Sequence, residues 1–433
     1  MKLVKMSIAA AVLLGASAFA IDNVKVDGDA KLYYITNNAG TGSLAKKDSS
    51  FADTAIRLGV TGDLMKGVSF GLTGYAVSTL GLENNLVSGT FTGAHGVTGG
   101  NGAAFLHGLN GGTQVNDTSW MGEAWLAASM GKSTAKLGRM ALDTPLAFSE
   151  TWSVVPNTFE AAVLINQDLP DTTLVGAWVG KGNGSNALNG ATISTLNALG
   201  AAADGGVVGA DAKFNTFMNG GAYAVAAVNN SLKFLTAQAW YYNVVNVADA
   251  YWLQADWDCQ LVKGAKLGVQ YANMNPKGVL GTTMKDSSAY AVKAAYNGVQ
   301  NLKLSAAYSE ADKDGTLKIA NVATNNLAGA QSKLYTEAYW AYGYVGAAGA
   351  KTVTVAGEYD AGVAQLGAYF TNVVNKNTNV ADLQEITLSA AKDVGPLNAT
   401  LAYISTDTST GVIGVQNAGK RYDSVLAMLK LKF

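Results

Sequence analysis

The sequence has 433 residues, of which 50 are glycine, 5 are proline and one, Cys259, is cysteine. Charged residues make up 14% of the chain, well below the ~25% of a typical soluble domain, and the formal charge at pH 7 is −1. This balance argues against a nucleic-acid-binding protein, which needs a concentrated basic face, and the single cysteine excludes an internal disulfide framework.

Residues 1–20 have the pattern of a cleavable secretory signal peptide. Two lysines provide the positive start, a short apolar run follows, and Ala18-Phe19-Ala20 supplies the small residues of a cleavage site. We expect cleavage after Ala20, so that the mature barrel domain comprises residues 21–433. The apolar run is too short for a permanent transmembrane helix, and no other run of about 18 apolar residues occurs, which excludes a helical membrane protein.

The first mature strand shows a strict alternation with a period of two. One face is uncharged (Val24, Val26, Gly28, Ala30, Leu32 and Tyr34), and the other carries Lys25, Asp27, Asp29, Lys31 and Tyr33. This division is typical of a strand with lipid on one side and a wet lumen on the other, although a soluble sandwich would give the same pattern. On this interpretation the four charged residues are candidates for lining a pore.

Similar segments of roughly 9–12 residues recur along the chain, as long as a tilted transmembrane strand. Short connections alternate with long ones rich in Gly, Asn, Ser and Thr; the long ones are residues 37–51, 80–118, 141–157, 182–219, 311–331 and 405–420. The alternation indicates the periplasmic turns and extracellular loops of a bacterial barrel. About nineteen candidate strands can be counted, and because the number should be even we expect 18, with 16 left open. The uncertain region is 351–372.

The chain ends on apolar residues at every second position, Leu429, Leu431 and Phe433, with Lys430 and Lys432 on the opposite face. We expect this strand to close the sheet against the first one. A terminal Phe resembles the signal by which outer-membrane barrels are recognised, which makes Phe433 an assembly signal and the barrel assembly machinery a partner. The predicted fold class is an all-β transmembrane antiparallel β-barrel in the outer membrane of a Gram-negative bacterium.

Residues 119–165 resemble a known family. The run from Glu123 to Lys132 leads into Leu137-Gly138-Arg139-Met140, and Thr144-Pro145-Leu146 and Val155-Pro156-Asn157-Thr158-Phe159-Glu160 follow. This succession is similar to the OprD-type porins and to the related major outer-membrane porins of epsilon-class proteobacteria. The resemblance implies a homotrimeric channel of about 18 strands whose third extracellular loop folds inward and narrows the lumen. Outer-membrane lipid and lipopolysaccharide are then further partners.

The third long connection, residues 141–157, has a rigid character, because it holds two of only 5 prolines and each fixes φ and removes a backbone donor. A narrow wet passage focuses the field of a few charges, so charged residues here would sort solutes. The candidates at the constriction are Arg139, Asp143, Glu150, Trp152 and Glu160, and Arg57 and Glu123 join the pore-lining candidates. Arg139 lies two residues after apolar Leu137 and therefore on the same, lipid-facing side of the strand. It can reach the lumen only if a bulge intervenes; otherwise it lies above the membrane.

The acidic third loop favours a water-filled channel for passive diffusion of small hydrophilic solutes and ions, with mild cation selectivity. The chain has only three arginines, Arg57, Arg139 and Arg421, so the arginine ladder of substrate-specific OprD-type members is not expected, and lysine is a poorer bidentate partner for carboxylates. Two alternatives stay open. One is a substrate-specific porin for small organic acids, amino acids or peptides, and the other is a surface adhesin or antigen.

The sequence gives little support for an enzyme, a cofactor or a metal site. His95 and His107 lie in the 80–118 loop without an obvious serine partner on a strand. Asp249, Asp256 and Asp258 form an acidic cluster for which a calcium site is one interpretation. Asp256 and Asp258 alternate with Trp257, however, which fits the lumen and lipid faces of one strand. We therefore expect no catalytic residues, no cofactor and no metal.

Overall fold

A computed structural model describes residues 21–40, 42–88, 118–184, 214–216, 220–278, 280–324, 330–376, 381–408 and 421–433. The predicted signal peptide with its cleavage site at Ala20 lies outside these ranges, as do His95 and His107. The described part consists mainly of β-strands, with single-turn 3-10 helices at Lys47–Ser49, Leu82–Asn84 and Leu280–Thr282. No helix within these ranges has the length and apolar character needed to cross a membrane.

Within the described ranges there are nineteen strands, one of which has only two residues. They are β1 (Asp22–Asn37), β2 (Ser50–Met65), β3 (Val68–Ser78), β4 (Thr118–Met130), β5 (Ser133–Met140), β6 (Phe159–Asn166), β7 (Thr172–Gly182), β8 (Asn215–Thr216), β9 (Ala222–Asn229), β10 (Leu235–Val244), β11 (Ala248–Asp258), β12 (Ala265–Pro276), β13 (Ser287–Val299), β14 (Leu302–Ala311), β15 (Ala350–Asp360), β16 (Gln365–Asn375), β17 (Leu383–Val394), β18 (Leu397–Thr408) and β19 (Tyr422–Lys432).

Eighteen of these strands form a closed antiparallel ring. Each strand pairs with the next along the chain, except that β7 pairs directly with β9, while β8 pairs only with the end of β7. The ring closes where β1 pairs with β19, with Leu32 opposite Leu429 and Ala30 opposite Leu431. The backbones of Gly28 and Phe433 exchange two further hydrogen bonds of 2.8 and 3.0 Å. The predicted barrel of 18 strands and its predicted closing strand are confirmed.

The two faces of the wall have the reverse character of a soluble protein. On β2, the outward side chain of Ile56 is 56% exposed, while the neighbouring Arg57 points inward. Other outward-facing apolar side chains form a band around the ring, among them Leu126, Leu137, Leu164, Val225, Leu253, Val269, Val292, Leu304, Val355, Leu388 and Leu401. Buried polar groups such as Asp29, Gln270 and Glu385 lie on the inner face. This division fits an oily exterior and a polar interior.

The connections at the two ends of the barrel differ in length. Turns of two to six residues join the strands at the end where both described termini lie: 66–67, 131–132, 167–171, 230–234, 259–264, 300–301, 361–364 and 395–396. Most connections at the other end are longer, as predicted, although 245–247 between β10 and β11 is short. The uncertain region 351–372 contains two strands, β15 and β16.

The prediction that a long connection ends at residue 331 was wrong, because the described residues between Ala311 and Ala350 form no strand. Residues 312–349 form the seventh connection at the long-loop end, which we call the seventh loop, and its described residues 317–324 and 330–349 fold into the barrel instead. Their aromatic and alanine-rich composition is compatible with a strand, but both sides of the segment are buried. The amide of Tyr335 donates to Gln270, and those of Trp340 and Ala341 donate to Glu385. Side chains of the wall thus replace the partner strand that these amides would need in a sheet.

The third loop, residues 141–158 between β5 and β6, folds inward as well. Its apolar residue Leu146 joins a large buried cluster that extends from β5 to β17 and includes Trp252 and Met274 of the wall and Val345 of the seventh loop. Val154 and Val155, farther along the loop, join a second cluster with Ile35 and Leu426 near the closing strands. The third loop therefore crosses the lumen between two regions of the wall.

Candidate channel constriction

The third loop holds its own shape through a small hairpin. Asp143 and Phe148 form an isolated antiparallel bridge, and the amide of Ser149 donates to the carbonyl of Leu142 at 2.8 Å. The hydroxyl of Thr144 donates to the carbonyl of Ala147 at 2.7 Å across the turn that contains Pro145. The proline fixes φ at a position where no amide donor is required. The hairpin is thus defined locally before it meets any other part of the barrel.

Two asparagines attach this hairpin to its surroundings. Asn157, in the same loop, accepts from the amide of Glu150 at 2.8 Å and donates to the carbonyl of Phe148 at 3.2 Å. Asn321, in the seventh loop, donates to that same carbonyl at 2.8 Å and accepts from the amide of Phe148 at 3.2 Å. A backbone bond of 2.9 Å from Val322 to the carbonyl of Leu146 runs beside them. The two inserted loops are therefore joined through backbone groups.

Glu150 lies at the centre of this junction, with only 2% of its surface exposed. Its Oε1 accepts from the side chains of Asn321 and Thr324 and from the amide of Gln331, at 3.0, 2.6 and 3.1 Å. Its Oε2 accepts from Trp152 Nε1 at 2.7 Å. Burial raises the pKa of this carboxyl, while the hydrogen bonds act in the opposite direction. None of the ion pairs among the described residues involves Glu150, so it connects the loops and does not face open water.

The seventh loop is attached to distant parts of the wall. Tyr335 donates its hydroxyl to Asp256 on β11 at 2.6 Å, and Gln270 on β12 donates to the carbonyl of Lys333 at 3.0 Å. Ser309 on β14 and Thr336 share a hydrogen bond of 2.6 Å. The backbone amides of Trp340 and Ala341 also donate hydrogen bonds to Glu385 on β17. These contacts attach the loop to strands from β11 to β17.

Aromatic rings and a lysine complete the junction on its other side. The ring centroid of Trp152 lies 6.4 Å from that of Trp340 and 6.1 Å from that of Tyr342. Lys31 on β1 donates to the carbonyl of Val154 at 3.0 Å. The third loop is therefore attached to β1, four positions around the ring from β5, and together with the seventh loop it narrows the lumen at this level.

The predicted lining residues share the inner face. Arg57 pairs with Asp29 at 2.8 Å and also with Asp27, and Lys31 follows them along β1. Glu123 on β4 lies near the start of the third loop, where it accepts from the amide of Ala141 at 3.4 Å. Lys25 is exposed at the short-turn end of β1. Their orientation is consistent with a lining role, which stays a prediction.

Two cations near the third loop were missed by the sequence reasoning. Lys136 alternates with outward-facing Leu137 and points inward, where its Nζ lies 4.1 Å from the ring centroid of Trp125; the alternation itself was sufficient to find it. Lys333 of the seventh loop pairs with Asp143 and lies over the ring of Phe148. No sequence signal pointed to Lys333, because the seventh loop was not recognised.

Arg139 and Glu160 do not lie at the constriction. The pairing of β4, β5 and β6 continues without a shift from Leu137 to Arg139, so no bulge turns Arg139 inward. It faces outward with Leu137 and pairs with Glu160 at 2.9 Å, while Lys181 approaches Glu160 at 3.4 Å. Asp143, Glu150 and Trp152 are the predicted constriction residues that the fold places inside the barrel.

Comparison with known proteins gives matches in structure only. No protein-family model matches the sequence, and no curated protein matches it. A BenF-like porin from Pseudomonas fluorescens Pf-5 superposes with a TM-score of 0.70 at 12% identity, covering 95% of this chain and 98% of that chain. Acinetobacter baumannii OccAB1 gives a TM-score of 0.69 at 13% identity, covering 96% and 98% of the two chains. Pseudomonas aeruginosa OpdK, solved with vanillate, gives 0.66 at 12% identity, covering 95% and 98%.

These similarities extend over almost the whole length of each chain at very low identity. The shared feature is therefore the architecture. The resemblance of residues 119–165 to the OprD-type porins is confirmed at the level of the fold. The chain has the closed 18-stranded antiparallel barrel of those porins.

Proposed function

We propose that this protein is an outer-membrane porin that forms a water-filled channel for passive diffusion of small hydrophilic solutes and ions. One observation carries the proposal: two loops fold into the lumen and join there, while charged side chains face inward beside them. An apolar outer band supports a position in a bilayer. A barrel whose interior is narrowed by fixed loops and lined by charges can sort solutes by size and charge.

The balance of charges near the junction argues for weak ion selectivity. Four cations, Lys31, Arg57, Lys136 and Lys333, face or accompany four carboxylates, Asp27, Asp29, Glu123 and Asp143. The third loop alone leans acidic, but Lys333 from the seventh loop offsets Asp143. We therefore propose that the cation preference is small.

A substrate-specific porin for small organic acids is the second candidate. Lys31, Arg57 and Lys136 occupy the inner faces of β1, β2 and β5, and cations on one side of a pore suit anionic solutes. One similar structure, OpdK, was solved with vanillate. Amino acids or peptides, which also carry a carboxylate, belong to the same candidate class. No contact described above favours a role as an adhesin.

Single-channel recording in planar bilayers tests the main proposal. The purified protein should insert in discrete steps and conduct continuously in KCl, with a reversal potential close to zero in a salt gradient. A porin for organic acids should in addition show brief blockades when benzoate-type anions are added, which neutral solutes of the same size do not cause. A protein that inserts without conducting would contradict both candidates and favour the adhesin.

We further propose a homotrimer in contact with outer-membrane lipid and lipopolysaccharide, with Phe433 as the signal for the barrel assembly machinery. The position of Phe433 supports the last point, because its side chain is 63% exposed on the outer face at the short-turn end. Mass measurement of the detergent-extracted protein tests the trimer.

A further inference from the structure

The outer face carries charged side chains that passage through the lumen does not use. Arg139 on β5, Glu160 on β6 and Lys181 on β7, which we call the first triad, are cross-strand neighbours. Both cations contact the same carboxylate: Arg139 Nε lies 2.9 Å from Oε1 of Glu160, and Lys181 Nζ lies 3.4 Å from Oε2. The triad borders a groove of about 660 Å³ that Trp178 and Gly221 also line. The guanidinium of Arg139 lies 4.1 Å from the ring centroid of Phe214.

The same arrangement occurs a second time. Glu310 on β14 forms ion pairs with Lys351 on β15 and with Lys376 just after β16, with Nζ to Oε1 distances of 3.1 and 3.3 Å. We call these three residues the second triad. They face outward, because Glu310 lies on the same face of its strand as the exposed Leu304 and Lys351 on the same face as the exposed Val353. Tyr290 and Tyr308 donate their hydroxyls to the other oxygen of Glu310, at 3.1 and 3.0 Å.

Both triads lie at the long-loop end of the wall, within two residues of a strand terminus. Glu160 and Lys351 are the second residues of β6 and β15, and Glu310 is the penultimate residue of β14. In a bacterial barrel this end faces the cell exterior, and tyrosines such as Tyr290 and Tyr308 mark the interface between lipid tails and headgroups. The triads are therefore at the depth of the headgroups of the outer leaflet.

Each triad has two cations and one carboxylate, so one positive charge is left over. The outward ion pair of Lys277 with Asp249 at the same end has one charge of each sign. At headgroup depth a cation meets the phosphate groups of the lipid, and lysine and arginine both bind phosphate through charge-assisted hydrogen bonds. We propose that the two triads are binding sites for the phosphate groups of outer-leaflet lipid headgroups.

The spacing of the triads favours lipid over a second copy of the chain. Their middle strands, β6 and β15, are eight positions apart in the ring of eighteen, which places them on nearly opposite sides. In a closed trimer the two neighbours of each subunit lie about 60° apart, so both triads cannot face other subunits at once. At least one triad must face lipid. The inference rests on the proposed outer-membrane location and not on the identity of the solute.

Native mass spectrometry of the detergent-solubilised protein tests this inference, with bisphosphorylated hexa-acyl lipid A as the probe. Lys181→Gln and Lys376→Gln each remove the surplus charge but leave a balanced pair, Arg139 with Glu160 or Lys351 with Glu310. Lys233→Gln is the matched control, since it removes the same charge at the short-turn end, where Lys233 pairs with Asp171. We expect up to two retained lipids per wild-type or control chain, one for each single variant and none for the double variant.

Three outcomes would overturn the inference. The first is that the double variant retains as much lipid A as the control variant. The second is that the wild type retains the same lipid without its phosphates equally well. The third is that inorganic phosphate displaces lipid A when both are present at the same phosphate concentration. A loss of oligomer mass in Lys181→Gln with unchanged lipid retention would identify a second copy as the occupant. The double variant should conduct like the wild type in a planar bilayer, so failure of the porin proposal is read separately from failure of the lipid sites.

Discussion

Glu150 shows how one side chain holds two loops together. The carboxylate takes three hydrogen bonds from the seventh loop on Oε1 and one from Trp152 of its own loop on Oε2. Because the group is buried, each donor that it satisfies would otherwise lack a partner away from water. Its effect on a solute is therefore indirect, through the shape of the passage.

Glu150→Ala should loosen the junction. Each buried donor left without a partner costs about 1–3 kcal/mol, and about 1.4 kcal/mol corresponds to a tenfold change in an equilibrium constant. We expect amide exchange at Asn321 and Gln331 to become at least roughly tenfold faster, as measured by hydrogen exchange with mass spectrometry. Asp48→Ala, which removes an exposed carboxylate from the first loop, is the control. Unchanged exchange at both amides would show that Glu150 does not hold the loops.

Asp143 differs from Glu150 because it faces water. Its side chain is 85% exposed and pairs with Lys333 across the two loops. Asp143→Asn should move the reversal potential in a KCl gradient towards anion selectivity, and Lys333→Gln should move it towards cation selectivity, because each leaves the partner charge unbalanced.

The double variant Asp143→Asn/Lys333→Gln should return close to the wild-type reversal potential. Asp171→Asn, at a turn on the other end of the barrel, is the control and should leave the potential unchanged. Unchanged reversal potentials in both single variants would place this pair outside the passage.

At the scale of elements, the seventh loop is an insertion whose ends meet. The amide of Ile319 donates to the carbonyl of Gly346 at 2.9 Å, and that of Gly349 donates to the carbonyl of Asp312 at 2.9 Å. The pairing of β14 with β15 does not involve the loop. The insertion can therefore be shortened without changing the wall.

Replacing residues 320–345 by a short Gly-Ser linker should widen the channel. The expected single-channel conductance is roughly twofold higher or more, since a constricting segment is removed from the lumen. Deletion of residues 43–48, which are all exposed in the first loop, serves as the control and should leave the conductance unchanged. Equal conductance of the two deletion variants would mean that the seventh loop does not limit the passage.

The seventh loop also introduces a dependence on pH. Burial raises the pKa of Glu337 to about 8 from its usual 4.5; Glu150 and Glu385 are the acidic groups nearby, and Lys318 is the basic one. Between these two pH values the folded loop binds a proton that the unfolded chain has lost, so its stability falls as the pH rises. Burial lowers the pKa of Lys318 to about 8, so its own contribution changes only at higher pH.

Thermal unfolding of the detergent-solubilised protein should therefore have a lower midpoint at about pH 8 than at about pH 5. Glu337→Gln should make this difference smaller even where it lowers both midpoints, and the part that remains comes from other buried carboxyls such as Glu150, whose pKa burial also raises. Glu358→Gln, which removes an exposed carboxylate paired with Lys303 at 3.6 Å, should keep the difference. A midpoint that rises with pH in the wild type would contradict the assignment.

At the scale of the whole molecule, the barrel depends on the closure between its first and last strands. Gly28 and Phe433 exchange backbone hydrogen bonds of 2.8 and 3.0 Å, and the absence of a side chain at Gly28 leaves space for the ring of Phe433. Deleting Phe433 removes both bonds and the ring. We expect a lower folded fraction in the outer membrane, measured by the heat-dependent mobility of the barrel in electrophoresis.

Gly28→Val separates closure from signalling in the same assay. A Cβ at this position would clash with the ring of Phe433, so the variant disturbs closure while it keeps the terminal residue. Impaired refolding of both variants from urea into detergent would show a structural role of Phe433. If deletion of Phe433 lowers the folded fraction in cells but leaves refolding into detergent unchanged, Phe433 acts as a signal.

The wall of the barrel was predictable because each strand carries its own evidence. The alternation of apolar and polar residues in β1 and β19 predicts which side chains face lipid, and the short connections predict the turns. The outward position of Arg139 could be predicted from the sequence, because Arg139 lies two residues after the lipid-facing Leu137. The third loop was recognisable from its prolines and from its resemblance to a family.

The seventh loop was not predictable in the same way. Its alanine and tyrosine content satisfies the composition of a strand, and nothing local indicates that Trp340 and Ala341 donate to Glu385, more than forty residues later. The pairing of Lys333 with Asp143 spans a still larger separation in sequence. Contacts of this kind depend on the closed ring, so they cannot be derived from a single segment.

The attachment of the seventh loop to β17 has a consequence for the order of assembly. The amides of Trp340 and Ala341 can donate to Glu385 only after the following strands have brought this carboxylate into place. We therefore expect a nascent barrel that is wide and open first, with the narrowing established only after β17 joins the ring. The selectivity of the pore would then be the last property that the folding chain acquires.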